Sequence, residues 1–307
     1  MKLISLLVLF SIMPGYSQVL LDTTYTINTV YAKEIKKYPQ IKKVTFVEND
    51  KVSILKDIPY KTTQNRNLGI DVFYLNDINR HPGVVLIHGG GWKSGNKEQM
   101  HALAQAIALN GFTCFCVEYR LANEAKYPAG VIDVKLAIDF VKRHAHEFNL
   151  MKEKIAVLGC SSGGQMAALI GATNSKALYQ EITEETDSDV QAIVNLDGIL
   201  AFHHPESQEG KAASFWLDGS FEECPKKWQE ASALEHVDSK TPPVLFINSP
   251  HLRFHAGEKD FIEKLTKNGI YYEVKSFTDS PHSFWFFYPW FDEIVHTTTQ
   301  FLTKIFL

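Results

Sequence analysis

The segment from residue 155 to residue 172 constrains the fold more than any other part of this 307-residue sequence. Four apolar residues, 155–158, run directly into Gly159-Cys160-Ser161-Ser162-Gly163, and an apolar helical pattern follows over 164–172. A strand that is apolar at every position is typical of a sheet covered on both faces. A sharp turn between such a strand and a helix strains its central residue and exposes that side chain at the carboxyl edge of the sheet. We therefore predict that Ser161 lies exposed at that edge.

Apolar runs alternate with amphipathic segments along the rest of the chain. Strands are predicted at 52–55, 68–75, 83–88, 112–119, 155–158, 190–196, 244–248 and 271–277, and helices at 97–110, after Pro128, and at 164–172, 257–267 and 291–306. This alternation predicts an α/β fold with a mostly parallel central sheet and helices on both faces. Residues 201–240, after the sixth strand, are predicted to form a short insertion or a partial lid.

The first 17 residues have the pattern of a signal peptide. Met1-Lys2 precedes an apolar run over 3–13, which is too short to span a bilayer, and small residues follow near Ser17. No Cys follows the run to accept a lipid anchor. We expect a secreted or periplasmic protein with no stable membrane insertion after the signal is removed. Residues 18–60 are mixed and polar, and we interpret them as an N-terminal extension.

Composition excludes several classes of protein. The net charge of -4 and the absence of a long basic block argue against nucleic acid as a partner. The four cysteines have neither the spacing of a disulfide framework nor, with the histidines, that of a zinc site. The sequence implies no metal and no organic cofactor. It carries no signal for the oligomeric state.

A glycine-rich loop follows the strand at 83–88. Successive glycines in His88-Gly89-Gly90-Gly91-Trp92 present backbone N–H groups without side chains to shield them. With the N–H of Ser162, Gly90 and Gly91 are the candidate donors to an oxyanion, and Gly89 or Trp92 are alternatives. A phosphate-binding loop would need the pattern GxxxxGK followed by Ser or Thr, which is absent here. Trp92 is also a candidate substrate contact.

The two glycine motifs together resemble those of a known family. HGGGW followed roughly 70 residues later by GxSxGG is similar to the α/β-hydrolase serine esterases related to hormone-sensitive lipase and to the carbohydrate acetyl and feruloyl esterases of the dienelactone-hydrolase-like group. The likeness includes Tyr127-Pro128 and Asp133. It implies an α/β-hydrolase catalytic domain over 61–307, with Ser161 as the nucleophile.

A general base must follow the nucleophile in the chain order of this family. His282 lies just after the last predicted strand, where the family places its histidine. An imidazole titrates near neutral pH, so it can accept the serine proton and later return it. We predict that His282 is the base and that His88 supports the glycine loop.

The acid of the triad departs from the family pattern. The family usually carries an Asp after the strand that here is 244–248, but residues 249–257 contain no carboxylate. Asp197 ends the preceding strand, so it reaches the same edge of the sheet, and we prefer it, as in pancreatic-type lipases. The alternatives are Asp260, Glu258 and Asp279.

Three further features bear on the substrate. Arg253 is a candidate for binding a carboxylate or sugar hydroxyls, and Trp285 for stacking on a sugar. Phe215-Trp216 and Trp228 form part of a lid or anchor the insertion. The family resemblance and the leader imply an esterase that removes O-acetyl groups from plant or algal polysaccharide. The alternatives are a methyl or feruloyl esterase acting on pectin or xylan, and a peptidase, lipase or noncatalytic binding module of the same fold.

Overall fold

A mixed eight-stranded sheet forms the centre of the molecule in a computed structural model that describes Asp22 and residues 24–179 and 186–307. The predicted leader lies outside these residues. The strands are β1 (Lys42–Lys43), β2 (Val52–Thr62), β3 (Asn67–Leu75), β4 (His81–Ile87), β5 (Thr113–Val117), β6 (Leu150–Cys160), β7 (Ala192–Leu196), β8 (Val244–Asn248), β9 (Tyr272–Ser276) and β10 (Phe287–Tyr288). The sheet order is β2-β3-β5-β4-β6-β7-β8-β9. All neighbours from β5 to β9 pair in parallel, which confirms the predicted sheet, and only β2 and β3 run antiparallel to their neighbours.

Helices follow most strands. They are α1 (Ile27–Glu34), α2 (His101–Ala108), α3 (Ala129–Arg143), α4 (Ser162–Ala172), α5 (Gly210–Leu217), α6 (Pro225–Glu230), α7 (Glu258–Lys267) and α8 (Phe291–Phe306), with 3-10 turns at Lys97–Met100, Ala233–His236, Leu252–His255 and Phe284–Phe286. Within the described part of the chain, no helix is long and apolar enough to cross a bilayer.

The sheet separates two apolar layers. Val85 and Ile87 of β4 pack with α3 and α4, whereas Val84 and Leu86 of the same strand pack with α2 and α8. Alternate residues of a strand point to opposite faces, so a central strand buried on both faces must be apolar throughout. The helices therefore cover both faces, as predicted. All four cysteines are free thiols.

The N-terminal segment packs onto the aromatic run near the end of the chain. Strand β1 pairs with β10, and the Val44 N–H donates to the carbonyl of Phe286 at 2.9 Å. Phe284, Phe286 and Phe287 are buried there. The run at 284–291 thus packs mainly as core, and the segment before β2 covers part of it.

The insertion at 201–240 is anchored by its tryptophans. Trp216 and Trp228 are buried, and Trp216 stacks on Trp92 of the glycine loop, with ring centroids 5.0 Å apart and planes at 13°. A stacked indole pair contributes apolar burial and fixes the relative position of both segments. These two rings therefore hold the insertion against the glycine loop.

The turn around Ser161 lies directly against the end of β4. A methyl group added at Gly163 would overlap the carbonyl oxygen of Ile87, and one added at Gly159 would overlap that of Gly163. Backbone atoms cannot move aside as a flexible side chain can, so only glycine fits at these two positions.

We predict that Gly163→Ala lowers the free energy of unfolding by about 1–3 kcal/mol, because the added methyl group overpacks a backbone contact. Gly210→Ala is the matched control: Gly210 also lies in the first turn of a helix, but open space surrounds its missing Cβ. Urea denaturation followed by circular dichroism measures both variants. Equal stabilities for the two would contradict the close packing described at Gly163.

Candidate active site

Ser161 occupies the turn between β6 and α4 in a strained conformation. Its φ of 55° and ψ of -122° lie in a region that residues other than glycine rarely adopt, and its N–H donates to the carbonyl of Leu196 at 2.8 Å. The turn leaves the Ser161 side chain partly exposed at the carboxyl edge of the sheet. The N-terminus of α4 begins at Ser162, so its free N–H groups and positive dipole end lie beside the hydroxyl.

His282 links Ser161 to Asp197. Its Nδ1 lies 2.9 Å from Asp197 Oδ2, and its Nε2 lies 2.8 Å from Ser161 Oγ. A carboxylate only accepts hydrogen bonds, so Nδ1 carries the proton and Nε2 is free to accept one from the serine hydroxyl. This is the tautomer that a general base for Ser161 requires.

Asp197 is held in place from both sides. It directly follows β7, has a φ of 48° and is 1% exposed. One carboxylate oxygen accepts from His282, and the other accepts from the Ser249 N–H at 2.7 Å. Of the alternatives, Asp260 is half exposed and lies 3.5 Å from His204, and Asp279 is exposed. The structure therefore brings Asp197, and neither Asp260 nor Asp279, to His282.

Glu258 is the remaining candidate acid, and it holds Asn248 instead. The Asn248 Nδ2 donates to both carboxyl oxygens of Glu258, each at 2.9 Å. Burial first, and then the charges of Asp197 and Glu206, raise the pKa of Glu258 to about 7 against the lowering effect of the Asn248 bond. Glu258 is thus an uncharged carboxylic acid over much of the range below pH 7.

The loop after β8, which contains no carboxylate, places an aromatic ring against His282. Phe254 stacks face to face on the His282 imidazole, with centroids 3.4 Å apart and planes at 11°, and Trp285 meets the same imidazole edge-on at 5.3 Å. The two rings restrict the rotation of the imidazole. Trp285 is buried and lies outside the lining of the cavities at Ser161, so our prediction that it contacts substrate is not supported. No sequence signal pointed to the stacking of Phe254.

A small pocket opens on one side of Ser161. It has room for about 30 Å³ and is lined by Gly91, Trp92, Ser161, Ser162, Asp197, Ile199, Glu209 and Phe254. Gly91 (φ 60°) and Ser162 are therefore placed to present N–H groups to an oxyanion, and Trp92 forms part of the wall. Gly90 lies outside the lining. Its φ of 133° and its close approach to Ser94 show that it shapes the loop, so our prediction that it donates to the oxyanion is not supported.

Glu209 is a residue of this pocket that sequence reasoning missed. Its Oε1 atom is buried, makes no hydrogen bond within the described residues, and lies 3.9 Å from the guanidinium of Arg253. It precedes α5 inside the insertion, in a segment whose polar pattern gives no hint of a site. The insertion therefore contributes one charged residue, Glu209, to the wall of this pocket.

A wide cleft of about 630 Å³ opens on the other side of Ser161. Its lining includes Ser161, His282, Phe254, Arg253 and residues of the N-terminal segment from Thr24 to Tyr38. Arg253, which we predicted to contact substrate, thus lies at the mouth of the site. The N-terminal segment, predicted only as an extension, forms one wall of the cleft.

His88 supports the glycine loop through a hydrogen bond and a ring contact. It is buried, its Nδ1–H donates to the carbonyl of Gly89 at 2.8 Å, and its ring stacks on Tyr119. Burial lowers the pKa of His88 to about 4, so the ring is neutral at pH 7. Across Asp22, 24–179 and 186–307, no three His, Cys, Asp or Glu side chains are grouped to bind a metal ion.

Comparison with known proteins identifies the family. The family model BD-FAE matches residues 70–251, more than half of the chain. This chain belongs to the BD-FAE family. The matched region contains the glycine loop, Ser161 and Asp197, and it ends before Arg253 and His282. The α/β-hydrolase esterase group expected from the two glycine motifs is confirmed.

Several known proteins resemble the chain. Esterase LipC of Mycobacterium tuberculosis is 30% identical over 188 residues, which are 58% of this chain and 47% of that protein. The probable carboxylic ester hydrolase LipM of the same organism is 28% identical over 66% of this chain and 49% of its own length. The chain thus spans about half the length of these curated relatives.

Solved structures show the same fold. A truncated carbohydrate esterase from gut microbiota has a TM-score of 0.72 and 22% identity, over 84% of this chain and 98% of its own. An acetyl ester-xyloside bifunctional hydrolase from Caldicellulosiruptor lactoaceticus has a TM-score of 0.68 and 20% identity, over 81% of this chain and 96% of its own. At these identities the likeness establishes the α/β-hydrolase fold.

We predict that Asp197→Asn lowers kcat for ester hydrolysis by about 10³–10⁴-fold, because an amide in place of the carboxylate no longer fixes the imidazole tautomer. Glu258→Gln is the matched control: it also replaces a carboxyl group by an amide, but Glu258 contacts Asn248. We expect its kcat to stay within about twofold of the native value, since Gln resembles the uncharged acid. Steady-state kinetics with para-nitrophenyl acetate distinguish the two, and the reverse ranking would reassign the acid to Glu258.

Proposed function

We propose that this protein is a serine hydrolase of carboxylic esters. The observation that carries the proposal is the hydrogen-bonded chain from Asp197 through His282 to Ser161, with distances of 2.9 and 2.8 Å. A nucleophile, a base and an orienting acid in this order, beside two N–H groups facing one pocket, are the groups that acyl transfer needs. The curated relatives named esterases support the same assignment.

The reaction follows from this geometry. Ser161 Oγ attacks the ester carbonyl carbon while its proton passes to His282 Nε2, and the N–H groups of Gly91 and Ser162 stabilise the oxyanion. The tetrahedral intermediate collapses when His282 returns the proton to the leaving alcohol oxygen. Water, deprotonated by the same imidazole, then attacks the acyl-enzyme. The acid is released and the Ser161 hydroxyl is restored.

We assign the acyl group to the small pocket. Gly91 and Ser162 line it, so a carbonyl whose oxygen faces them directs its acyl substituent toward Ile199 and Trp92. A pocket of about 30 Å³ holds a methyl group and little more. An acetyl ester fits this space, whereas a feruloyl group would have to displace the walls. The pocket thus favours acetyl over the feruloyl alternative, and a large acyl half with methanol as leaving group fits it equally poorly.

We assign the alcohol half to a carbohydrate of plant or algal polysaccharide. The wide cleft on the His282 side has room for sugar rings. Structural neighbours named as carbohydrate esterase and as acetyl ester-xyloside hydrolase support this substrate class. Removal of O-acetyl groups combines this alcohol with the small acyl pocket.

We predict a strong preference for short acyl groups. Each methylene forced against a pocket wall costs about 1–3 kcal/mol, so kcat/KM should fall at least tenfold from para-nitrophenyl acetate to the hexanoate. Ile199→Ala enlarges the pocket and should raise the ratio of hexanoate to acetate activity by about tenfold. Ser161→Ala should abolish hydrolysis of both esters.

Two results would contradict these assignments separately. Hydrolysis that survives Ser161→Ala would end the serine-hydrolase proposal. Equal hydrolysis of hexanoate and acetate by the native protein would leave the serine mechanism in place but remove the acetyl assignment.

We further propose that the protein is exported and cleaved near Gln18, as the pattern of residues 1–17 suggests. After expression in a bacterial host with the whole sequence, the exported fraction should contain a chain that starts near Gln18. N-terminal sequencing and intact mass of that fraction measure this. A full-length chain retained in the cytoplasm would contradict export.

A further inference from the structure

We propose that the alcohol half of the substrate carries an anionic group, a uronate carboxylate or a sugar sulfate, and that Lys37 and Arg253 bind it. The inference rests on the proposed ester hydrolysis, and it names the substrate class of the same site. It gives the N-terminal segment a role in recognition that neither the family match nor the triad assigns.

The position of His282 determines where the alcohol lies. The imidazole must return its proton to the leaving oxygen, so the alcohol half extends from Ser161 toward the side where His282 stands. That side is the wide cleft, which both residues line, whereas the small pocket takes the acyl group. Any group that recognises the alcohol must therefore line the wide cleft.

The N-terminal segment is fixed over this cleft by hydrogen bonds to the loop that carries His282. Tyr25 Oη lies 3.0 Å from Ser283 Oγ, and Tyr38 Oη donates to the carbonyl of Ser280 at 3.0 Å. On the other side, the Tyr25 N–H donates to Ser94 Oγ, just after the glycine loop, at 3.1 Å. The segment is thus held on both sides of Ser161.

The charged side chains along the cleft are mostly basic. Lys33, Lys37 and Arg253 line it against one acid, Glu34, and Glu34 lies 3.5 Å from the amino group of Lys33. The opposite charges of Lys33 and Glu34 largely cancel. The Lys37 ammonium has no ion-pair partner among the described residues and lies 5.1 Å above the ring of Tyr38. A chain with a net charge of -4 therefore has a positive cleft at its nucleophile.

Arg253 is aligned with the reacting groups through an aromatic stack. Its guanidinium lies 4.1 Å from the Phe254 ring centroid, and that ring stacks on His282. One guanidinium nitrogen lies 3.9 Å from Glu209, but the side chain is 41% exposed and lines the cleft. A stacked guanidinium keeps its N–H donors in one plane, which suits a carboxylate or a sulfate.

The positive charge of Lys37 affects the pKa of another residue that lines the cleft. The pKa of His251, which lines the opposite wall with Arg253, is lowered first by burial and then by the positive charge of Lys37. A lowered pKa favours the neutral form of His251, so the positive charge that meets the substrate comes from Lys37 and Arg253. An anionic group in the cleft would therefore be attracted by both cations.

The test compares three acetylated oligosaccharides of matched length: galacturonan, a sulfated galactan and neutral xylan. We expect kcat/KM for an acidic substrate to exceed that for xylan by at least tenfold in low salt, and the excess to shrink at 0.5 M NaCl because salt screens exposed charges. Lys37→Gln should lower the acidic-to-neutral ratio by about tenfold, mainly through KM, and Lys37→Arg should restore it. Lys36→Gln is the matched control, since Lys36 is exposed next to Lys37 but does not line the cleft.

Each outcome decides the proposal. A preference for galacturonan or for sulfated galactan identifies the carboxylate or the sulfate as the recognised group, and a preference for both supports shared anionic recognition. Equal rates on all three substrates, or equal effects of Lys37→Gln and Lys36→Gln, would overturn it. Hydrolysis of para-nitrophenyl acetate, absent in Ser161→Ala, reports separately on the esterase, so loss of one proposal is distinguishable from loss of the other.

Discussion

The close contact between the turn at Ser161 and the end of β4 is the constraint on which the rest of the site depends. Strands β4 and β6 are parallel neighbours, so the loops that follow them start side by side. Gly163 lets the turn approach the Ile87 carbonyl without a gap. That approach sets the strained Ser161 beside Gly91 and directs the start of α4 toward the same point. A bulkier turn would separate the nucleophile from the candidate oxyanion donors. The triad would then no longer be aligned with the oxyanion site.

The adjacency of strand ends also explains why the triad acid can follow β7 instead of β8. Strands β7 and β8 are parallel neighbours, so an acid at the end of either one reaches His282. Here the acid comes from β7, and the loop after β8 contributes the Ser249 N–H to Asp197 and the Phe254 ring to His282. That loop still contacts two residues of the triad, although it does not carry the triad's carboxylate. Other residues of this loop, His251 and Arg253, line the wide cleft.

Local patterns predicted the elements that lie in the sheet and its covering helices. The apolar runs predicted the bounds of β8 and α8 to the residue. Strand β6 begins at Leu150, earlier than expected, because its first half contains polar, partly exposed residues that interrupt the apolar pattern. Helix α1 was missed because its apolar residues, Ile27, Val30 and Tyr31, cover only about one turn and Val30 alone is buried. Ser161, His282 and Asp197 follow from chain order and strand ends. The roles of Trp285 and Glu209 depend on tertiary packing, which no periodicity encodes.

The N-terminal segment contributes side chains to the cleft but none to the triad. It is joined to the domain by a two-residue strand pair and by tyrosine hydroxyl contacts. The residues of this segment that line the cleft can therefore change without any change to the triad. For protein engineering, the same separation makes this segment a natural place to exchange recognition sequences between enzymes that share one chemistry.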